Sequence, residues 1–246
     1  MLLGGRPGID IRLRHGLYVG GGVDPRWDNL VAGWKLDESS DGSGAVPRAD
    51  VLGTYELTDN NTTPSAAGKI SNGASFTAAN SESLTRSNMG WTSDTWTICF
   101  WFNGPDGAGG LVELGDAWAT QVFGVHLQTT GGANNQFRAW ASDGVAHNGG
   151  VLVTASGTEN QWHLIVATFD GTNAHISLDG AAFVDDADTI GAQYQSGTMD
   201  LKIGEAFSGS GFLTGTLDEV YMFSDAKNIT WVSGLYNSGA GRSYPD

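Results

Sequence analysis

The sequence predicts an all-β protein, a two-sheet antiparallel sandwich, and three observations indicate this fold class. Residues 162–180 (WHLIVATFDGTNAHISLDG) hold two apolar runs joined by Asp170-Gly171 and closed by Asp179-Gly180. Asp-Gly between alternating apolar residues is a strong hairpin signal, because the turn that matches strand twist needs positive φ. The composition has 37 Gly and 16% charged residues, against about 25% in typical soluble proteins, so few Lys and Glu remain for surface helices. Short apolar segments also recur at near-regular spacing.

Eleven strands are predicted from these segments, and no stretch between them is long enough for the helix of a parallel crossover. They span residues 31–37, 74–78, 83–87, 94–103, 110–116, 123–129, 136–142, 163–170, 174–180, 200–206 and 216–224. One short helix is predicted at 228–237. There Ile229, Val232, Leu235 and Tyr236 share one face, and Gly239 follows in a stop position.

Residues 1–30 are predicted to be an N-terminal arm for anchoring or partner binding, and residues 31–246 a single domain. The arm holds four arginines and three aspartates, so its net charge is +1. Because the whole chain carries −15, residues 31–246 carry −16. Apolar and charged residues alternate at 9–14, which predicts one strand that pairs with the main domain or a partner. A flexible leader is the alternative.

The net charge of −15 argues against binding to nucleic acid, which needs clustered Lys and Arg. An acidic surface is compatible with calcium, and also with solubility alone. No segment approaches the roughly 20 apolar residues of a membrane span, so no membrane insertion is expected. The first residues lack the apolar core of a signal peptide, and the single Cys99 cannot form an internal disulfide. We therefore expect the chain to fold in a cytosol.

An ordered series of short motifs extends over about residues 30–241. It comprises AGWKLDE (32–38), the Asp50 region, GASF (73–76), SL (83–84), WTICFWF (96–102), the hairpin at 162–180, LKIG (201–204), GTLDEV (215–220) and LYNSG (235–239). In this order the motifs resemble the laminin-G-like jelly roll of the concanavalin A-like lectin/glucanase superfamily. The resemblance implies a jelly-roll sandwich. It implies function less specifically, because this fold hosts lectins, adhesion modules, virion proteins and a minority of enzymes.

No catalytic residues are predicted, and the protein is not expected to be an enzyme. The glucanase branch of the superfamily carries a Glu-x-Asp-x-x-Glu strand motif, which this sequence lacks. Hydrolysis of a glycoside needs two carboxylates on either side of the sugar bond. The adjacent pairs Asp185-Asp186 and Asp218-Glu219 cannot supply them alone, because neighbours on a strand point to opposite faces.

The resemblance implies one structural calcium ion, near the rim where the opening and closing strands meet. The matching acids are Glu38, Asp50 and Asp218. Calcium takes about six to eight oxygen ligands, so backbone carbonyls and water would complete the set. The alternative is that Glu38 and Asp218 accept hydrogen bonds from loop amides.

Sugar binding would use aromatic rings with Asn, Asp and backbone donors on loops, and residues 104–110, 129–136 and 205–215 have that chemistry. The candidate ligand-binding residues near these loops are Trp118, Asn134, Trp140, Tyr194, Phe207 and Phe212. Packing is the alternative role for each of these aromatic rings. Trp34, Trp96, Trp101 and Trp162 are predicted to be core residues.

These observations favour a non-catalytic structural or display protein on the surface of a phage virion, as a capsid decoration, fibre or tail component. It would assemble in the host cytoplasm as an oligomer or in many copies. The arm would bind other virion or surface proteins, and the domain would attach to surface glycans. The alternative is a lectin-like carbohydrate-binding module of a bacterial surface or polysaccharide-degrading system, located outside the cell or on its surface.

Overall fold

The computed structural model describes residues 24–107, 109–115, 121–128, 134–143, 150–185, 189, 192–207 and 211–245. Within them, the strands are β1 (Leu30–Trp34), β2 (Thr58–Asn60), β3 (Ser65–Ala67), β4 (Asn72–Phe76), β5 (Ser83–Arg86), β6 (Trp96–Asn103), β7 (Gly109–Gly115), β8 (Gln121–Gln128), β9 (Asn134–Ala141), β10 (Gly150–Thr158), β11 (His163–Phe169), β12 (Ala174–Leu178), β13 (Val184–Asp185), β14 (Asp200–Ile203) and β15 (Gly215–Phe223). The helix α1 spans Ile229–Tyr236.

Two antiparallel sheets form the sandwich that the sequence predicts. One has eight strands in the order β13-β12-β11-β6-β15-β4-β3, with β1 also paired to β15. The strands β4 and β1 pair with successive parts of β15, at Gly215–Leu217 and Val220–Phe223. The other sheet has seven strands in the order β10-β9-β8-β7-β14-β5-β2. The predicted fold class is confirmed, and four strands (β2, β3, β10 and β13) add to those predicted.

The main core lies between the two sheets and contains many aromatic rings. Trp34 and Trp96 are fully buried in it. Each satisfies its indole N–H, Trp34 by donating to the carbonyl of Tyr55 (2.7 Å) and Trp96 to the side chain of Gln193 (3.0 Å). Burial of such large rings with their polar atoms paired is a major source of stability.

A second apolar cluster covers the outer face of the eight-stranded sheet. Cys99 and Trp101 point into it from β6, while their neighbours on that strand face the main core. This explains why residues 98–102 of β6 are all apolar, since a strand covered on both faces needs no polar side. Burial raises the pKa of the Cys99 thiol, which keeps it protonated. Trp162, predicted to be core, is half-buried at the edge of this second cluster.

The predicted hairpin is present as β11 and β12, but its first turn is wider than an Asp-Gly pair. The last paired residues are Phe169 and Ala174, so four residues form the connection. Asp170 orders it by accepting the amides of Thr172 (2.8 Å) and Asn173 (2.9 Å). At the second turn both Asp179 and Gly180 have positive φ, at 53° and 74°, as an Asp-Gly turn requires.

Residues 24–30, which the sequence assigns to the N-terminal arm, pack against the domain. A 3-10 turn at Pro25–Trp27 is capped by the side chain of Asp24. Trp27 is 4% exposed, and its ring lies 4.8 Å from that of Tyr221. The strand predicted at 9–14 lies outside the described residues.

The predicted C-terminal helix is confirmed. Asn228 caps it by accepting the amide of Trp231 at 3.0 Å, and Asn237 ends it in the left-handed conformation. No helix in the described part of the chain has the length and apolarity to cross a membrane.

Candidate functional site

Two of the three loops predicted to bind sugar meet at one end of the sandwich. The β6–β7 loop contacts the β14–β15 loop, where the amide of Gly110 donates to the carbonyl of Gly211 (3.0 Å). The third loop joins β8 to β9. Gly109 at the start of β7 pairs with Leu127 near the end of β8, so the end of β8 lies beside the first two loops. We call residues 104–107, 109–110 and 205–207 with 211–214 the loop rim.

The described parts of the β14–β15 loop pair as the two arms of a hairpin within the loop rim. Ala206 donates its amide to the carbonyl of Gly211 (3.0 Å), and Leu213 donates to that of Gly204 (2.9 Å). Gly204 has a φ of +81°, and a Cβ there would lie 2.5 Å from the ring of Phe76, so only glycine fits. The hairpin presents Phe207 and Phe212, both half-buried.

A buried glutamate anchors this hairpin to the seven-stranded sheet. Glu113 lies on β7 between two core residues, so its side chain points to the outer face of the sheet. It is fully buried, and its carboxylate accepts the amide of Phe207 at 2.9 Å. Carboxylates accept amide hydrogen bonds strongly, so this contact fixes the position of Phe207.

A lysine beside the glutamate completes the polar part of the site. Lys202 pairs with Glu113 across β14 and β7. Its Nζ lies 2.7 Å from the Oε1 of Glu205 and 4.9 Å from the ring centroid of Phe207. The loop rim therefore combines two aromatic rings with charged groups already oriented by their neighbours, which is the chemistry of a small polar ligand site.

The other predicted ligand-binding residues do not join Phe207 and Phe212. Trp140 is 4% exposed and covers Gly124, where a Cβ would lie 2.2 Å from the indole, so it offers no open stacking face. Tyr194 lies at the opposite end of the sheet, where its amide donates to the carbonyl of Ser142 (2.9 Å). Asn134 begins β9, at the end near the loop rim, and its side chain is not described. Trp118 lies outside the described residues.

The carboxylate of Asp50, predicted to bind calcium, is saturated by backbone amides. Its Oδ1 accepts from Gly33 (2.9 Å) and Leu52 (3.3 Å). Its Oδ2 accepts from Thr54 (2.9 Å) and Tyr55 (3.0 Å). Four bonds use the lone pairs that an ion would need, so Asp50 acts as a loop organiser.

Glu38 faces an internal cation. Its Oε1 accepts the amide of Ala49 (2.7 Å), and its Oε2 lies 3.7 Å from the guanidinium of Arg48. Arg48 is fully buried and donates to the carbonyls of Glu38 and Thr63, each at 2.8 Å. Sequence reasoning missed Arg48, as it missed Glu113 and Lys202.

Asp218, the third predicted calcium ligand, accepts a backbone amide. It is fully buried at a bulge of β15, and its Oδ2 accepts the amide of Ile70 at 2.8 Å. Burial, together with the neighbouring charge of Glu219, raises the pKa of Asp218 to about 8. The described side chains of His, Cys, Asp and Glu contain no group of three that could hold a metal ion. Glu38, Asp50 and Asp218 therefore do not form such a group in the described residues, and calcium binding stays a prediction.

Comparison with known families shows to which superfamily this sandwich belongs. The family model described as "Concanavalin A-like lectin/glucanases superfamily" matches residues 71–233, more than half of the chain. The chain belongs to the concanavalin A-like lectin/glucanases superfamily. The laminin-G-like resemblance predicted from the sequence is thereby confirmed. No curated protein matches the chain in sequence.

Several solved structures share this superfamily fold. The binding domain of Paraclostridial Mosquitocidal Protein 1 has a TM-score of 0.58 and 18% identity, covering 87% of this chain and 53% of that one. Domain 4 of AbnA, a GH43 extracellular arabinanase from Geobacillus stearothermophilus, in complex with arabinotriose, has a TM-score of 0.59 and 14% identity, covering 85% and 98%. The Botulinum Neurotoxin Type G receptor binding domain has a TM-score of 0.60 and 16% identity, covering 85% and 51%. The chain thus spans about half of the two toxin structures, and at these identities the likeness is one of fold.

Proposed function

We propose that this superfamily member is a non-catalytic, lectin-like module that binds glycans through the loop rim. The observation that carries the proposal is the hairpin that holds Phe207 and Phe212 beside Glu205 and Lys202. Aromatic rings beside fixed polar groups suit a sugar, which has apolar C–H faces and polar edges. The arabinotriose complex of a domain with the same fold supports this ligand class.

A glycan array with the purified chain, followed by calorimetry on the best polysaccharide, tests the proposal. Replacing Phe207 by Ala should weaken binding about tenfold, since loss of one well-packed ring costs roughly 1–2 kcal/mol. The matched control is Tyr194→Ala, an aromatic deletion at the opposite end of the sheet. Equal losses in both variants, or binding unchanged in Phe207→Ala, would contradict a site at the loop rim. Release of reducing sugar from a bound polysaccharide would contradict the non-catalytic assignment.

We further propose that the module is displayed in many copies on a phage virion surface, attached to other virion or surface proteins by the N-terminal arm. The supporting features are the net positive charge and strand-like alternation of that arm. The first described residues also pack on the outer face of the eight-stranded sheet, where Trp231 donates to the carbonyl of Arg26 at 2.8 Å. Many copies would strengthen weak glycan contacts. A module of a bacterial surface or polysaccharide-degrading system is the second candidate, favoured by the arabinanase domain with this fold.

Deletion of residues 1–23, which leaves Trp27 in place, tests the display proposal. Incorporation into particles should fall sharply while thermal stability and glycan binding stay unchanged. Undiminished incorporation of the deletion variant would contradict the proposal that the arm anchors the protein to the particle.

Calcium binding stays a prediction of the resemblance, without Glu38, Asp50 and Asp218 as a joint ligand set. Calorimetric titration of calcium into chelator-treated protein tests it. A saturable heat would indicate an ion held by other oxygens, and no heat would remove the prediction.

A further inference from the structure

His175 lies between two carboxylates from different elements. Its neighbours on β12, Ala174 and Ile176, face the core, so the imidazole lies on the outer face of the eight-stranded sheet. Nδ1 is 2.7 Å from Oδ1 of Asp185 on β13, and Nε2 is 3.3 Å from Oδ2 of Asp170 in the β11–β12 connection. The ring of Phe183 packs against the imidazole at 5.8 Å.

This geometry is fully satisfied only by the doubly protonated ring. A neutral imidazole has one N–H, so it can donate to one carboxylate and turns a lone pair toward the other. The imidazolium has two N–H groups and can donate to both. Asp170 stays ionised, because its pKa is lowered: burial acts against this, but amide bonds from Asn173 and Thr172 and the contact with His175 outweigh it.

The element that this contact holds is short. Strand β13 has two residues, paired as Asp185 with His175 and Val184 with Ile176. It forms one edge of the eight-stranded sheet, and Val184 is 45% exposed. Two backbone pairs give an edge strand little stability of its own, so a side-chain link has a measurable share in holding it.

We propose that protonated His175 clamps β13 to the edge of the eight-stranded sheet, and that loss of the ring proton loosens this edge. Among the described residues, the charged groups that face the ring are Asp170, from the connection before β12, and Asp185, from β13. Deprotonation leaves one of the two carboxylates facing a lone pair, so that contact changes from attractive to repulsive. The edge is therefore more closed in mildly acidic solution than in mildly alkaline solution.

Hydrogen exchange of residues 181–185 in the full chain tests the clamp at about pH 5 and about pH 8, which bracket the range of imidazole titration. After correction for intrinsic exchange, protection should be about two- to fivefold higher at the acidic pH, the effect of a partly exposed ion pair. Residues 165–169 of β11 serve as the internal reference. In Asp185→Asn the pH dependence should disappear, because the amide can donate to an unprotonated Nδ1.

Equal protection at both pH values in the wild-type chain would overturn the proposal, as would a pH dependence that persists in His175→Gln. The ring nitrogen chemical shifts of His175 give a second readout that needs no variant. Both nitrogens must carry protons at about pH 5, and a neutral ring at that pH also overturns the proposal.

Discussion

The backbone amide of Phe207 donates to the buried carboxylate of Glu113 at 2.9 Å, across 94 positions of sequence. This bond joins the β14–β15 loop of the candidate site to β7, in the middle of the seven-stranded sheet. Because Glu113 lies on a strand within the sheet, its hydrogen bond fixes the position of the loop relative to that strand. A site whose aromatic residue is held in this way loses less entropy when a ligand binds.

Replacement of Glu113 by Ala should destabilise the protein by about 2–4 kcal/mol, because it leaves the Phe207 amide without its acceptor and opens a cavity. Glu113→Gln keeps a carbonyl oxygen for that amide and should cost less. Urea unfolding of both variants measures the difference. An alanine variant as stable as the wild type would show that the bond does not hold the loop.

The free energy of unfolding should fall as the pH rises from about 4 to about 8. Burial, with the charge of Glu219 adding to it, raises the pKa of Asp218 to about 8. Burial also raises the pKa of Glu219 to about 7, against the hydrogen bond from Tyr221. A carboxyl group whose pKa is raised by folding stabilises the folded state. Its full contribution is present below its pKa in the unfolded chain, which is near 4. That stability is lost as the pH rises through the folded value.

The expected slope is on the order of 1 kcal/mol per pH unit for each group, since one pKa unit corresponds to about 1.4 kcal/mol. Thermal unfolding at several pH values measures it. Asp218→Asn and Glu219→Gln should each flatten the curve, and Asp200→Asn, at a half-exposed position on β14, is the control. A wild-type curve that rises over this range would contradict the raised values.

The sequence was sufficient to predict the sandwich, because apolar alternation and turn residues are local signals. The hairpin at 162–180 follows from its own residues, apart from the wider first turn. Strands such as β2 and β3 escape detection because they have three residues each and few apolar side chains. Their existence depends on partners elsewhere in the sheets, which no local pattern carries.

The candidate site was predictable in its loops but not in its geometry. Gly, Asn and aromatic residues marked the loops, while strand register decides that Phe207 and Phe212 share one end and Tyr194 the other. Glu113 stood in the sequence as a lone acid within an apolar strand, a signal that could have been used. Its partner Phe207 could not be known, because that contact depends on the tertiary fold.

Arg48→Met should destabilise the protein by about 2–4 kcal/mol. The guanidinium is fully buried and donates to two carbonyls, so its removal leaves both carbonyls without this donor and takes the positive charge away from the Glu38 carboxylate. The matched control is Arg26→Met, because Arg26 pairs with Asp24 at 2.8 Å at the surface, where such pairs contribute about 0.2–1 kcal/mol. Chemical unfolding compares the two variants. Equal losses would contradict the structural role assigned to Arg48.

Removal of residues 1–23 should leave stability unchanged, whereas removal of residues 1–30 should lower it by several kcal/mol. The difference lies in Trp27, whose ring contacts Tyr221 (4.8 Å) and Tyr244 (5.4 Å), and in Asp28, whose carbonyl accepts from Lys227 at 2.7 Å. Loss of a buried tryptophan alone costs about 3–5 kcal/mol. Trp27→Ala in the full chain should therefore reproduce most of the loss caused by the longer deletion. Thermal unfolding of the three variants checks this. Identical stability of the two deletions would show that residues 24–30 do not stabilise the domain and would support a boundary at residue 30.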